Sequence, residues 1–202
     1  LDPSNPQYAV ASAEMMIDLG RIPDAEEFLG KQQPTFEHNA GVRQTLGHIA
    51  MLKGDHAGAV KLFNDAHLLA PDDPVVLEDL VHAQIATGQF GEAQYNIESL
   101  MKTESGKTRR DLKQLQARCM LNLDKPVEAR ELLIQLTSDS QGQKDVEAWI
   151  ELGNVSFVLK DNARLRMSAQ RVLALAPSRS EGFTLKALWQ RRQGDLAGAL
   201  DN

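Results

Sequence analysis

Gly54-Asp55-His56-Ala57-Gly58-Ala59 decides the fold, because the chain repeats the phrase at a fixed interval. It recurs as Gly20-Arg21-Ile22-Pro23-Asp24-Ala25, Gly88-Gln89-Phe90-Gly91-Glu92-Ala93, Asp124-Lys125-Pro126-Val127-Glu128-Ala129 and Gly194-Asp195-Leu196-Ala197-Gly198-Ala199. The closing alanines stand at 25, 59, 93, 129 and 199. Their spacings are 34, 34, 36 and 70, and the last gap divides at Leu165 into 36 and 34. Self-similarity at a period of roughly 20–50 residues is the signature of a stacked repeat protein.

Working outward from Gly54, each side reads as an amphipathic helix. Leu46, Ile49 and Ala50 lie on one helical face before the glycine. Val60, Leu62, Phe63, Ala66 and Leu69 lie on one face after it, and Pro71 stops that second helix. Gly54 tolerates the positive φ of a helix-ending turn because it has no Cβ. Asp73-Pro74 then restarts the pattern as N-cap and first helical residue, and Asn5-Pro6 does the same at the front. Ser178 with Glu181 reads as a capping box for the last unit. No segment alternates polar and apolar residues with the period of a strand. The expected fold is therefore all-α, a right-handed α-solenoid of stacked antiparallel helix pairs. Its units run approximately over 6–39, 40–73, 74–109, 110–145, 146–179 and an incomplete 180–202, forming one array over 1–202. The small residues Gly47, Ala59 and Ala66 allow close backbone approach, with Phe63 filling the hairpin core.

Residues 40–73 resemble the tetratricopeptide repeat family through Leu46-Gly47, Ala50, Gly54, Ala59, Phe63, Ala66 and Pro71. Residues 146–179 resemble it through Trp149, Leu152-Gly153 and Pro177, and depart at Ser156, Leu165 and Ala169. Residues 110–145 keep Ala117, Ala129 and Leu133 but lack the turn glycine. The resemblance implies a superhelix whose first helices line a concave groove that holds a peptide or a partner domain. Carried onto this register, it assigns the groove to Gln44, Thr45 and His48, then Glu78, Asp79 and His82, then Gln114 and Arg118, then Glu151 and Asn154. Glu78 and Asp79 favour a partner with basic residues. Family members that clamp the C-terminal carboxylate of heat-shock chaperones use lysine, asparagine and arginine; Val10, Glu14, Thr45, Val75 and Asp79 at those positions cannot hold a carboxylate.

Composition narrows the function classes further. The net charge of −6 is uneven: residues 1–101 carry 5 Lys/Arg against 15 Asp/Glu, and residues 102–202 carry 17 against 13. Neither half offers the basic stripe that phosphate neutralisation requires, so nucleic acid is not expected as a ligand. Nothing in the sequence spans a bilayer, and Leu1-Asp2-Pro3-Ser4-Asn5-Pro6 lacks the basic start and apolar core of a secretory signal. Neither observation selects between a cytoplasmic and a periplasmic site. Cys119 is the lone cysteine, which removes internal disulfides and cysteine-based zinc sites; it reads as a buried structural thiol.

The remaining motifs read as structure. Met101-Lys102-Thr103-Glu104-Ser105-Gly106-Lys107-Thr108 ends like a phosphate-binding loop, but Met101 stands where the motif needs glycine and no strand precedes it. It reads as a widened inter-repeat turn. His48 and His82 share one repeat position and suit ligand contacts better than a metal, which adjacent helices roughly 10 Å apart do not share. Trp149 is a core residue, whereas Trp189 is less constrained. Arg179, Lys186 and Arg191-Arg192 read as a solvated face. No nucleophile, base and acid constellation can be assembled, so no catalysis and no cofactor are expected. The reading is a non-catalytic protein–protein interaction scaffold. Its rivals are an architectural or self-assembling spacer in a bacterial envelope, secretion or polysaccharide-export system, which makes a homo-oligomer an alternative, and a regulatory array fused to an enzyme. Pro3 lies 68 residues before Pro71, and Asn202 falls shortly into a second helix, so the chain reads as an excerpt from a longer array.

Overall fold

In a computed structural model, residues 5–32, 34–103, 105–195 and 198 are described. They form eleven α-helices and no strand among the described residues. The chain divides into two compact units, residues 1–102 and 103–202. The first unit holds α1 (Pro6–Asp18), α2 (Ile22–Gln32), α3 (Ala40–Leu52), α4 (His56–Leu69), α5 (Pro74–Ala86) and α6 (Phe90–Met101). The second holds α7 (Arg110–Asn122), α8 (Pro126–Ser138), α9 (Val146–Val158), α10 (Asn162–Leu175) and α11 (Ser180–Gln193), with a 3₁₀ turn at Gly142–Lys144. Each unit is a run of stacked antiparallel helix pairs of the right-handed α-solenoid class. A pair packs on itself, as α3 does on α4 and α9 on α10, and on the next pair, as α4 does on α5 and α10 on α11.

The turn between paired helices is fixed by one backbone position. Gly20, Gly54, Gly88 and Gly194 have φ between +73° and +81°. The same position in the two remaining pairs is held by Asp124 at φ 59° and Lys160 at φ 58°. The left-handed residue is thus a property of the hairpin, met even where a side chain makes it cost about 1–2 kcal/mol. Five residues on from each turn residue, Ala25, Ala59, Ala93, Ala129 and Leu165 are fully buried, where the second helix meets its neighbours. Ala199 and Leu196-Ala197, like the Leu1–Pro3 segment, lie outside the described residues.

Local chemistry starts the helices. Asn5, Asn39, Asp55, Asp73, Asp145 and Asp161 each accept a hydrogen bond from a backbone N–H in the first helical turn, at 2.9–3.1 Å. Such a cap stabilises a helix by about 1 kcal/mol. The capping box expected from Ser178 and Glu181 does not form. Arg179 occupies the N-cap without a side-chain cap, and its guanidinium draws the Glu181 carboxylate to itself at 2.9 Å. Charge pairing outcompetes the reciprocal cap there.

In the first unit Phe63 fills the space beside Gly47, where a Cβ would come within 2.5 Å of the ring. In the second unit Trp149, Leu152, Leu165 and Leu185 share a core with Ala117 and Leu133. A Cβ on Gly153 would lie 2.6 Å from Leu185. Trp149 is buried, as expected, and Trp189 is partly buried with the Arg166 guanidinium 5.2 Å over its ring. The solvated face expected for the C-terminal arginines is corrected in part. Arg192 donates to the Phe157 carbonyl at 2.7 Å and lies 4.3 Å over the Phe157 ring, while Arg179 pairs with Glu147 and Glu181. Carboxylates, a carbonyl and a ring on α9 and α11 recruit these cations into inter-helix packing.

Candidate functional site

The first helices α1, α3 and α5 carry the polar residues of the first unit's candidate groove. Gln44 and His48 stand one turn apart on α3 and converge on Asp79 of α5. Gln44 Nε2 donates to Asp79 Oδ2 at 2.7 Å, and His48 Nε2 shares a hydrogen bond with the same oxygen at 2.9 Å. His48 also meets the Phe63 ring edge-on, with centroids 5.3 Å apart. The hydrogen bond to Asp79 raises the His48 pKa above its ordinary value against the opposing effect of burial, and the Asp79 and Glu14 charges add to the rise. Burial alone would raise Asp79. The hydrogen bonds from His48 and Gln44 and the nearby His48 and His82 charges outweigh it, and hold that carboxyl below its ordinary range.

Glu78 lies half-buried and His82 exposed on α5. Thr45 departs from its expected role: it is 2% exposed and its hydroxyl donates to the Gly41 carbonyl at 2.9 Å. The helix turns it inward, away from solvent, and its hydroxyl is spent on its own helix.

The second unit repeats the linkage with different residues. Gln114 Nε2 donates to Asp145 Oδ2 at 2.7 Å. Arg118 donates to Glu151 Oε1 through Nε at 3.0 Å and Nη2 at 2.6 Å. Asn154 is exposed on α9. The polar positions of one first helix thus reach the next first helix in each unit. His48 with Asp79 and Arg118 with Glu151 are the same register pair, formed by different chemistry.

A cavity of about 520 Å³ opens beside this network in the first unit, lined by Glu14, Ile17, Asp18, His48, Met51 and Leu52. Its apolar lining comes from α1 and α3, with the Glu14 and Asp18 carboxylates one helical turn apart on α1. Neither carboxylate makes a hydrogen bond or ion pair with another described residue. Asp18 was not singled out from sequence. The available signal was Glu14, which shares the repeat position of His48 and His82 at intervals of 34 residues, with Asp18 one turn further on. The internal pairs had a signal too: a donor and a carboxylate three residues short of one repeat apart, as with 48 and 79 or 118 and 151.

Cys119 is fully buried, and burial pushes its thiol up to about 11, which leaves it protonated and unreactive at neutral pH. Among the described residues no group of three or more His, Cys, Asp or Glu side chains is placed to hold a metal ion. No helix among them is long and apolar enough to cross a membrane.

Residues 50–103 match the family model described as the tetratricopeptide repeat. No curated protein matches the chain in sequence. Among solved structures, the chain is similar to a tetratricopeptide repeat protein from Parabacteroides merdae, with 14% identity and a TM-score of 0.80 over 96% of this chain and 76% of that one. It is similar to PilF of Pseudomonas aeruginosa, with 12% identity and a TM-score of 0.72 over 96% and 87%. It is also similar to YrrB, a tetratricopeptide repeat protein with an unusual peptide-binding site, with 12% identity and a TM-score of 0.74 over 92% and 93%. Residues 50–103 thus carry the tetratricopeptide repeat, and the similar structures show that the chain has the fold of tetratricopeptide repeat proteins.

Proposed function

We propose that this tetratricopeptide repeat chain is a non-catalytic scaffold that holds a partner protein through a segment carrying a lysine or arginine, seated in the α1–α3 cavity. The observation that supports this reading is the cavity's lining. Ile17, Met51 and Leu52 suit the aliphatic stem of a basic side chain, and Glu14 and Asp18 suit its charged head. The acidic contact moves from the expected Glu78 and Asp79 to α1, because Asp79 is already held by His48 and Gln44. The surplus of acids in residues 1–101 adds a long-range attraction for a basic segment, speeding association more than deepening affinity. A groove of this kind is open to water, which suits recognition and not chemistry that needs a dry site.

The test is a binding titration with a labelled library of short peptides containing one Lys or Arg among apolar residues. Peptides should be retained by the chain and released on replacing the basic residue with alanine. Glu14→Lys with Asp18→Lys should weaken the tightest of them by roughly tenfold or more, the scale of losing a charge-assisted pair. Thermal denaturation of the double variant should stay near that of the parent, since both side chains are on the surface. Peptide binding that survives the double charge reversal would remove the cavity from the reading. Absence of any basic-peptide preference would remove the partner chemistry.

A further inference from the structure

His48 stands in the wall of the α1–α3 cavity with Glu14, Asp18, Ile17, Met51 and Leu52. Among these six it is the one side chain that can turn positive. Its ring is met from three helices. From α5, Asp79 Oδ2 shares a hydrogen bond with Nε2 at 2.9 Å, while also accepting from Gln44 Nε2 at 2.7 Å. From α4, Phe63 meets the ring edge-on. From α1, the Glu14 charge acts on it, with Asp18 lining the same cavity. Also on α5, Glu78 precedes Asp79 in sequence, and the His82 charge reaches Asp79.

The Asp79 carboxyl is held below its ordinary range and so is ionised at neutral pH. An ionised carboxylate only accepts, so His48 Nε2 carries a hydrogen whether the imidazole is neutral or charged. The proton that comes and goes is the one on Nδ1, which makes no hydrogen bond with another described residue. The ring therefore changes charge without leaving its place. The Asp79 bond and the Glu14 charge bring that change up toward neutral pH, against the effect of burial. A lysine or arginine head seated on Glu14 repels an imidazolium in the same wall. The coupling is reciprocal: what the proton subtracts from affinity for the head, the head subtracts from affinity for the proton.

We propose that His48 is a proton gate on this cavity: protonated at Nδ1 it repels the basic head, and a basic head that seats there sends the proton to solvent. The inference rests on the reading of the cavity as the seat of a basic segment and adds its regulation. The segment loads at neutral to alkaline pH and is released on mild acidification.

An acetylated, amidated peptide with one arginine among leucines is titrated into the chain by calorimetry between about pH 8 and about pH 5.5. In that window an ordinary carboxyl stays ionised and an ordinary imidazole changes charge. Affinity should fall roughly three- to tenfold toward the acid end, and the same peptide with methionine for arginine should bind alike throughout. In His48→Gln the decline should vanish with the tighter affinity kept. In His48→Arg binding should be weak at every pH, and His82→Gln should leave the decline in place. The His48 ring resonances of the parent, followed against pH with and without saturating peptide, need no variant. They stay readable if His48→Gln unsettles the α3–α4 hairpin. Their midpoint should move to lower pH on binding, by the logarithm of the affinity ratio. A chain that binds no arginine peptide at any pH removes the seat, and the gate with it. With binding intact, the gate alone is overturned by a flat pH response, by a decline that survives His48→Gln or is lost in His82→Gln, by an equal decline with the methionine peptide, or by an unmoved His48 midpoint.

Discussion

The α3–α4 and α7–α8 hairpins reach one geometry by different means. In the first, the turn residue is Gly54 at φ 79°, and Asn39 and Asp55 cap the two helices. In the second, the turn residue is Asp124 at φ 59°, and Arg109 and Lys125 stand at the N-caps with no side-chain cap. The bulky contact inside the first hairpin is Gly47 against Phe63; the same positions in the second are Ala117 and Leu133, both fully buried. What the two share is the buried alanine after the turn, Ala59 or Ala129. Stacking against neighbours therefore sets the backbone, and local turn and cap residues raise or lower its stability within that constraint.

The largest expected effect comes from exchanging the paired sizes. Gly47→Ala places a methyl within 2.5 Å of the Phe63 ring, an overpacking that costs about 1–3 kcal/mol. Phe63→Leu alone leaves a cavity and also destabilises. The double variant recreates the Ala117–Leu133 pair, so chemical denaturation should return a smaller loss than the two single losses added together. That double-mutant cycle measures the coupling directly. Additive losses would mean that the two hairpins solve their packing independently, and would break the comparison.

Next come the turn and cap. Lys160→Gly should stabilise the second unit by about 0.5–1 kcal/mol, since relief of left-handed strain exceeds the backbone entropy glycine loses on folding. Asp124→Gly should act in the same direction by less, because aspartate tolerates that conformation better than lysine. Gly54→Lys should cost about 1 kcal/mol or more. Lys125→Asp gives α8 the capping residue that Asp55 gives α4, and should add about 0.5–1 kcal/mol. Midpoints of urea denaturation at constant slope read all four. A stabilised Gly54→Lys would show that the turn position does not demand what its φ suggests.

The fold was legible because the repeat is carried by small and bending residues. Gly20, Gly54, Gly88 and the alanines at 25, 59, 93 and 129 repeat in the sequence as they do in the structure, and a period needs no tertiary knowledge to see. The site was legible only to its register. Sequence placed Gln44, His48 and Asp79 on first helices but could not say that they bond to one another, because rotamer and helix rotation decide whether a polar side chain faces solvent or its neighbour. Thr45 shows the limit at its sharpest: one residue from Gln44, it is buried and bonded to its own helix. Arg179 shows another, since two carboxylates competing for one guanidinium overrode a local capping pattern.

The smallest effect separates the two inter-repeat pairs by pH. His48–Asp79 contains an imidazole, whereas Arg118–Glu151 is built on a guanidinium. The His48 pKa is raised in the folded chain, so its contribution is complete below the ordinary histidine value and fades as pH climbs through the raised one. The Asp79 pKa is lowered, so its contribution is present above the ordinary aspartate value and is lost as pH falls through the lowered one. The pair is therefore strongest in the mildly acidic window between those two limits. With the histidine side chain 44% exposed, solvent screening keeps the gain to about 0.5 kcal/mol or less. His48→Arg copies the second unit's chemistry into the first. It should abolish the decline in stability between the acid window and alkaline pH that the parent shows from this pair, while Asp79→Asn should remove the pair's pH dependence at both ends. Calorimetric unfolding across that range reads the difference. An unchanged alkaline decline in His48→Arg would place its origin outside this pair, and would leave the two register-matched links equivalent in stability as well as in position.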